Sequence, residues 1–369
     1  MRIIRAIALL AAMSIAAGVR ADPVDRAGVP DPAKAPGAIR FATFNTALSD
    51  DVPGGLVARL STPDDPQARL VAETIQNVRP DVLVLQEIDR DREGATLDLF
   101  ARHYLAIGQR GAAPIDYPHR LFPPTNSGVL SGVDLDGDGR VERPGDAKGF
   151  GRHDGHYGFA ILSRHPFGPA RTYADFLWSD LPGGLFPAAA YPAGAAEALP
   201  LSSKTHIVVP VSAGGRTIHL LAAHPTPPVF DEPTVDRNGR RNFDEIRLLA
   251  DLLDDAAHLV DDDGVAGGVP PKADVVVAGD FNADPARGEA RPGAIAQLLT
   301  HPRLRLIAPR SAMGEATADF GGGLRVDYVL PGTSLTVTGA GVFWPLTGPA
   351  ARLVAASDHR LVFVDVTGD

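Results

Sequence analysis

The sequence predicts an α/β protein. Apolar runs of strand length recur from Ile39 to Val366, and a few amphipathic stretches of helical period lie between them. No fixed-period repeat is visible. Several apolar runs end abruptly in an acid, an amide or a histidine.

The elements follow in order. Ile39 to Asn45 is the first strand. Asp65-Pro66, followed by Ala68, Leu70, Val71, Thr74, Ile75 and Val78, reads as an amphipathic helix capped by Asp65. Pro80 closes it, Asp81 to Gln86 is a buried strand, and Gly94 to His103 is another helix. Residues 108–156 are loop-like and rich in Gly, Pro, Asp and His; Tyr157 to Ser163 returns to strand. Residues 180–200 form a Pro/Gly/Ala excursion too long for a simple connection. Thr205 to Val211 and Arg216 to Ala223 predict a hairpin around Ala213-Gly-Gly. Phe243 to Val260 carries Ile246, Leu249, Ala250 and Leu253 on one helical stripe and ends at Asp261-Asp-Asp-Gly. Asp274 to Gly279 is a strand and Gly293 to Leu299 a short helix. Leu324 to Leu330, Leu335 to Phe343 and Arg360 to Val366 are the last strands.

Composition bounds the class. A chain of 369 residues with 44% hydrophobic and 22% charged residues suits a soluble globular protein with a sizeable core. Arg2 and Arg5 precede an apolar run from Ala6 to Ala17 that is too short to span a bilayer comfortably, and Val19-Arg-Ala21 places small residues where a signal peptidase reads. Residues 1–21 are therefore expected to be a signal peptide, 22–37 a flexible leader and 38–369 the functional domain, secreted or periplasmic and not transmembrane after cleavage. The absence of cysteine excludes disulfides, thiolate metal sites and a cysteine nucleophile. Residues 1–21 carry three arginines and no acid, so their removal takes the formal charge from −10 to −13. That argues against long-range steering toward nucleic acid or anionic membrane. It does not exclude a nuclease, because bound divalent ions neutralise such a site locally.

The chemistry concentrates at strand ends. In Ala273-Asp-Val-Val-Val-Ala-Gly-Asp280-Phe-Asn282, residues two apart on an extended chain point the same way, which aims Asp280 and Asn282 into one pocket. A carboxylate beside a carboxamide suits a hard oxygen-loving cation, or holds a water for attack on phosphorus. Taken alone, an acid after a buried strand is often a helix cap or turn residue. Companions at other apparent strand ends change that reading: Asn45, Gln86-Glu87, His224, Asp327 and Asp358-His359.

This ordered set resembles the endonuclease/exonuclease/phosphatase superfamily, whose fold is that of deoxyribonuclease I. The resemblance runs from about Ile39 to Val366 and is poorest between residues 108 and 205. It implies a four-layer sandwich of two packed β-sheets flanked by helices, with the site at the sheet edges. It implies that Glu87, Asn45 and Asp358 hold Mg²⁺, with Mn²⁺ as a substitute, and that Asp280 and Asn282 place the attacking water. It implies that Asp327 accepts from His359, which contacts the phosphate or takes the water's proton, and that His224 donates to the leaving group. Each residue also has a plain structural reading: Asn282 as an Asx turn, His224-Pro as a rigid turn, His359 as a core histidine.

Arg164, Lys204 and His206 near strand ends are candidate phosphate contacts, against solvated surface charge as the plainer alternative. Asp134-Leu-Asp136-Gly-Asp138-Gly139 begins like an EF-hand loop, but the twelfth position is Gly145 rather than Glu. Ca²⁺ as a structural ion on Asp134, Asp136 and Asp138 stands against a plain acidic loop. Asp236 to Asn242 has a weaker look of the same kind, or orders a loop through Arg–carboxylate pairs. No Gly-rich nucleotide loop, Gly-x-Ser-x-Gly elbow or His-Glu-x-x-His helix is present.

The expected function is a secreted metal-dependent phosphoric-ester hydrolase, by default a phosphodiesterase or endonuclease. Its substrate is a phosphate ester: nucleic acid, a small phosphoester or a lipid head group, chosen by the loops at 108–156 and 180–200. A phosphomonoesterase or head-group hydrolase is the alternative on the same site. A calcium-binding, non-catalytic interaction protein is the alternative from another class. Nothing points to a stable protein partner. Sequencing the exported protein from its N-terminus should read Asp22 first; a mature chain beginning at Met1 would sink the signal-peptide assignment.

Overall fold

Alternation along the strands builds the layers. In β1 (Ile39–Leu48), Ile39 and Phe41 enter the central core while Ala42 and Phe44 enter an outer one. β2 (Val82–Ile88) repeats this, with Val82 and Val84 central and Leu83 and Leu85 outer. In β8 (Asp274–Asp280), Val276 and Ala278 are central, and Val275 and Val277 face a different outer core. Strands buried on both faces are the mark of a sheet covered on both sides. The structure, a computed structural model, describes residues 33–230 and 232–368, so the expected signal peptide and residues 22–32 of the leader lie outside it.

The first sheet has six strands in the order β10-β11-β1-β2-β4-β3, with β3 at His119–Leu121, β4 at Phe159–Ser163, β10 at Leu335–Phe343 and β11 at Leu361–Gly368. The second has five in the order β5-β6-β7-β8-β9, with β5 at Arg171–Thr172, β6 at Ile207–Ala213, β7 at Arg216–Ala222 and β9 at Asp327–Pro331. β1–β2 and β7–β8 are parallel pairs; the other pairings are antiparallel. Helices are few. Of α1 (Gly55–Leu60), α2 (Pro66–Val78) and α3 (Ala95–Phe100), α2 covers the outer face of the first sheet with Val71, Ala72 and Ile75. The Asp65 side chain caps α2 by accepting from Ala68 N at 2.8 Å. After the short α4 (Ala195–Ala198), α5 (Arg237–Leu253) covers the second sheet with Ile246, Leu249 and Leu252; α6 (Ala296–Leu299) packs beside it. The expected four-layer sandwich is the observed fold.

Register then fixes where the strand ends meet. Asn45 pairs with Gln86 across the parallel β1–β2 ladder, so both strands finish at one edge. β9 runs antiparallel to β8 with Asp327 opposite Asp280, and β11 runs antiparallel to β1 with Val362 opposite Thr43. Asp327 and His359 therefore arrive at that edge from strand beginnings. Ala222 pairs with Ala278 in the parallel β7–β8 ladder, which carries His224 there too.

Some boundaries differ from expectation. The β6–β7 hairpin turns on Gly214 and Gly215, both at positive φ (59° and 79°), as a two-residue hairpin loop requires. The fifth helix begins at Arg237 and ends at Leu253, not Phe243 and Val260, because Asp255 takes a left-handed conformation (φ 55°). Residues 237–242, read as a loop, are thus its first turns. Tyr157 also has positive φ, so its strand begins at Phe159. The strand expected from Leu324 begins at Asp327. Among the described residues no helix is long and apolar enough to cross a membrane.

One buried ion pair ties β1 to β11. Arg40, 1% exposed, donates through Nε and Nη2 to Asp365 at 2.6 and 2.7 Å, and through Nη1 to the Val78 carbonyl at 2.6 Å. Asp365→Ala leaves that guanidinium buried and unpaired, which should cost about 3–5 kcal/mol in denaturant unfolding. A change below about 1 kcal/mol, the scale of an exposed pair, would contradict this account of the pair.

Candidate active site

The end of β1 supplies an amide, and the ends of β2 and β8 supply the carboxylates it joins. Asn45 Nδ2 donates to Glu87 Oε1 and to Asp280 Oδ2, both at 3.0 Å, so one side chain bridges the two sheets. Its Oδ1 accepts from Ala47 N at 3.1 Å. In this arrangement Asn45 orients acids rather than offering an oxygen ligand. Glu87 sits at φ 55°, which breaks the alternation at the strand end. Burial raises its pKa, against the Asn45 hydrogen bond and the His359 charge. Burial also pushes Asp280 up to about 6, with His359 opposing and Asp327 reinforcing.

His359 and Asp327 form the second half. The ring Nδ1 donates to the Asp327 carboxylate at 3.0 and 3.2 Å, and Nε2 lies 3.7 Å from Asp280 Oδ2. Burial disfavours the charged ring, but the Asp327 and Asp280 carboxylates outweigh it and raise the imidazole to about 10. Phe320 meets the ring edge-on, with centroids 5.1 Å apart. Two positioning groups were not foreseen. Thr317 Oγ1 accepts from Val326 N and Asp327 N at 3.0 Å each. Ser357 Oγ donates to the Asn45 carbonyl at 2.8 Å and accepts from His359 N at 3.0 Å, tying β11 to β1.

A neutral histidine and a buried lysine complete the centre. His224 Nε2 lies 3.6 Å from Asp280 Oδ2, and both ring nitrogens are buried without a hydrogen-bond partner. Burial, with Lys204 and His359 adding to it, lowers its pKa well below the ordinary imidazole value. Asn282, at φ 52°, donates through Nδ2 to the Pro225 carbonyl at 3.1 Å, and its backbone N–H donates to Asp280 Oδ1 at 3.0 Å. Lys204 is 6% exposed, and among the described residues no carboxylate lies within 4 Å of its ammonium. Burial lowers its pKa, with Glu245 and Glu87 opposing. Glu245, inside α5, accepts from Ser203 N, Ser203 Oγ and Thr226 N at 2.6–2.7 Å and so clamps the loops that present Lys204 and His224. Glu87, Lys204 and His224 open onto a cleft of about 680 Å³ walled by residues of the 108–156 and 180–200 excursions.

Other expected residues fall elsewhere. Asp358 is exposed, and its Oδ1 lies 3.3 Å from Ser357 Oγ. His206 is structural: its ring nitrogens lie 2.7 Å from Ser202 Oγ and 2.8 Å from the Glu245 carbonyl, leaving none for phosphate. Arg164 follows the antiparallel β4, so it lies at the opposite edge, donating to Asp81 at 3.1 Å. Asp134, Asp136 and Asp138 do converge, each offering an oxygen within 4.8 Å of the others. Asp89, His153 and His156, passed over in the sequence, also cluster, and the His-x-x-His spacing was the available signal. There His153 Nε2 meets the Asp50 carbonyl at 2.9 Å and His156 Nδ1 accepts from Arg152 N at 3.1 Å, so each ring already commits a nitrogen.

The crowded donor set fits a hard divalent cation. Glu87 and Asp280 are buried acids with raised proton affinity, the condition a bound cation relieves, and oxygen dominates the donors.

Known proteins match the chain in sequence pattern and in fold. The profile of the Endonuclease/Exonuclease/phosphatase family matches residues 42–359. Among solved structures, an endonuclease/exonuclease/phosphatase from Beutenbergia cavernae is similar at 21% identity and TM-score 0.51, over 90% of this chain and 72% of that one. Sphingomyelinase C from Streptomyces griseocarneus follows at 17% identity and TM-score 0.46 (89% and 99% covered). A beta toxin from Staphylococcus aureus with bound magnesium ions follows at 12% identity and TM-score 0.48 (89% and 99% covered). No curated protein matches the sequence.

Titrating Ca²⁺ into the purified chain by calorimetry tests the acidic loop. Asp136→Ala should remove any Ca²⁺ binding this loop provides; unchanged binding in the variant excludes it.

Proposed function

Because the chain belongs to the endonuclease/exonuclease/phosphatase family, we propose that it hydrolyses phosphodiesters by in-line attack of a positioned water, aided by Mg²⁺. It is an enzyme of the nuclease/phosphatase type. The observation that carries the finer reading is the meeting of Asn45, Glu87, Asp280, Asp327 and His359, from five strand ends in two sheets.

Glu87 is the proposed protein ligand of the ion, with Mn²⁺ as a substitute. When bound, the cation draws charge from the phosphoryl oxygens. Asp280 becomes a carboxylate above about pH 6, a suitable base for the attacking water near neutrality. Asn282 lies beside it to orient that water. His359, charged through the neutral range, stabilises the phosphoryl oxygens, and Asp327 holds its ring. His224 is neutral, so it serves the leaving oxygen as an N–H donor rather than as an imidazolium acid. Lys204 is a buried cation whose missing partner a phosphate oxygen supplies; an unpaired buried charge is otherwise costly. Ca²⁺ in the Asp134 loop would order Leu135, which packs with Leu199 in the cleft wall. The signal-peptide pattern of residues 1–21 supports export to the periplasm or the medium.

The test is hydrolysis of bis-p-nitrophenyl phosphate by the mature chain. Mg²⁺ should support it and EDTA abolish it, and His359→Ala should lose about 10²–10⁴-fold in kcat while remaining folded. Near-normal turnover in that variant contradicts the assignment. The kcat/KM profile should rise through about pH 6 as Asp280 ionises, and fall only near pH 10 as His359 loses its proton. A fall at the ordinary histidine value, about 6.5, would overturn the role of the His359–Asp327 pair.

A further inference from the structure

On the hydrolase reading above, we propose that the cleft beside Glu87 and His224 receives one apolar, ring-bearing ester group of a phosphodiester whose phosphate lies at Lys204. Three observations carry this.

The first is continuity. Glu87, Lys204 and His224 line the cleft itself, so its occupant is attached to the reacting phosphate rather than bound apart from it. The second is size and shape. A volume of about 680 Å³ suits one small organic group, and sites for single small ligands are concave and mostly apolar in this way. The net formal charge of −10 gives a nucleic-acid strand no long-range steering toward this cleft. The third is the wall. Phe150 is 58% exposed, yet its ring stacks on Tyr157 (centroids 6.3 Å, planes 22° apart), and Tyr157 stacks on the buried His156 at 3.6 Å. An exposed phenyl ring held in place by a stack is a ready platform for another ring. Val229 and Leu199 line the same cleft.

The step is ordinary hydrolysis. Water's oxygen bonds to phosphorus, the phosphorus–oxygen bond to the leaving group breaks, and the proton released by water balances the departing alkoxide or phenolate.

The experiment uses p-nitrophenyl phosphodiesters that share the p-nitrophenolate leaving group and differ in the second ester, methyl or phenyl. The phenyl ester should exceed the methyl ester in kcat/KM by about tenfold or more, and Phe150→Ala should reduce that ratio to about threefold or less. Tyr191→Ala, on the same cleft, should shift the ratio in the same direction. Equal rates for the two esters, a ratio unmoved by both variants, or faster hydrolysis of the monoester p-nitrophenyl phosphate would overturn the proposal. Preferential cleavage of plasmid DNA in a mixed assay would also overturn it. Calorimetric binding of diphenyl phosphate reads the cleft independently of turnover: binding weakened in Phe150→Ala supports the proposal, and undiminished binding removes it. A chain that binds diphenyl phosphate but hydrolyses no ester would fault the hydrolase reading, not the cleft.

Discussion

One amide holds the site together. Asn45 donates from β1 to Glu87 in its own sheet and to Asp280 in the other, and each bond is 3.0 Å. Both acceptors resist ionisation because they are buried. Removing that amide would leave two carboxylates short of a donor in a low-dielectric place, where an unsatisfied polar group is costly. The bridge also fixes how the sheets sit on one another at this edge. The central core of Phe41, Val84, Val276 and Ala278 sets their separation, and a shift of about an ångström would break a bond that is useful only near 3 Å. Ser357 adds a second tie, from the approach to β11 onto the Asn45 carbonyl. The catalytic geometry is thus a consequence of sandwich packing.

Environment then divides the labour among neighbours. Two histidines flank Asp280, at 3.6 and 3.7 Å, yet they move in opposite directions. His359 has the Asp327 carboxylate against its other nitrogen and holds its proton; His224 has no such partner and burial keeps it neutral. Asp280, between them, moves into the range where a carboxylate works as a base near neutral pH. Lys204 and Glu245 show the same economy: the glutamate spends its oxygens on Ser203 and Thr226, which leaves the lysine without a carboxylate within 4 Å among the described residues.

The layers were legible because they follow from period-two alternation in runs such as Val82–Leu85 and Val275–Ala278. The central residues were legible because a polar side chain ending an apolar run has few places to go except the sheet edge. What failed depends on tertiary facts. Arg164 also ends an apolar run, but β4 runs antiparallel to β2, and strand direction is not written in a single segment. Lys204 and His206 are two residues apart and look equivalent; only α5, arriving some 40 residues later with the Glu245 carbonyl, makes His206 structural. Glu245 itself lies in an amphipathic helix, where a glutamate reads as solvated surface. Asp358 belongs to the same short motif as His359, but adjacent extended residues point oppositely, and burying the histidine exposes the acid.

Turnover of bis-p-nitrophenyl phosphate by Asn45→Ala tests this account most directly, with thermal unfolding recorded beside it. If the shared amide organises the two carboxylates, kcat should fall by about 10²–10³-fold while the protein still unfolds cooperatively, the scale expected when one oriented polar group is lost from a preorganised site. Turnover within about threefold of the parent chain, in a folded variant, would contradict it: the acids would then be placed by the strands alone.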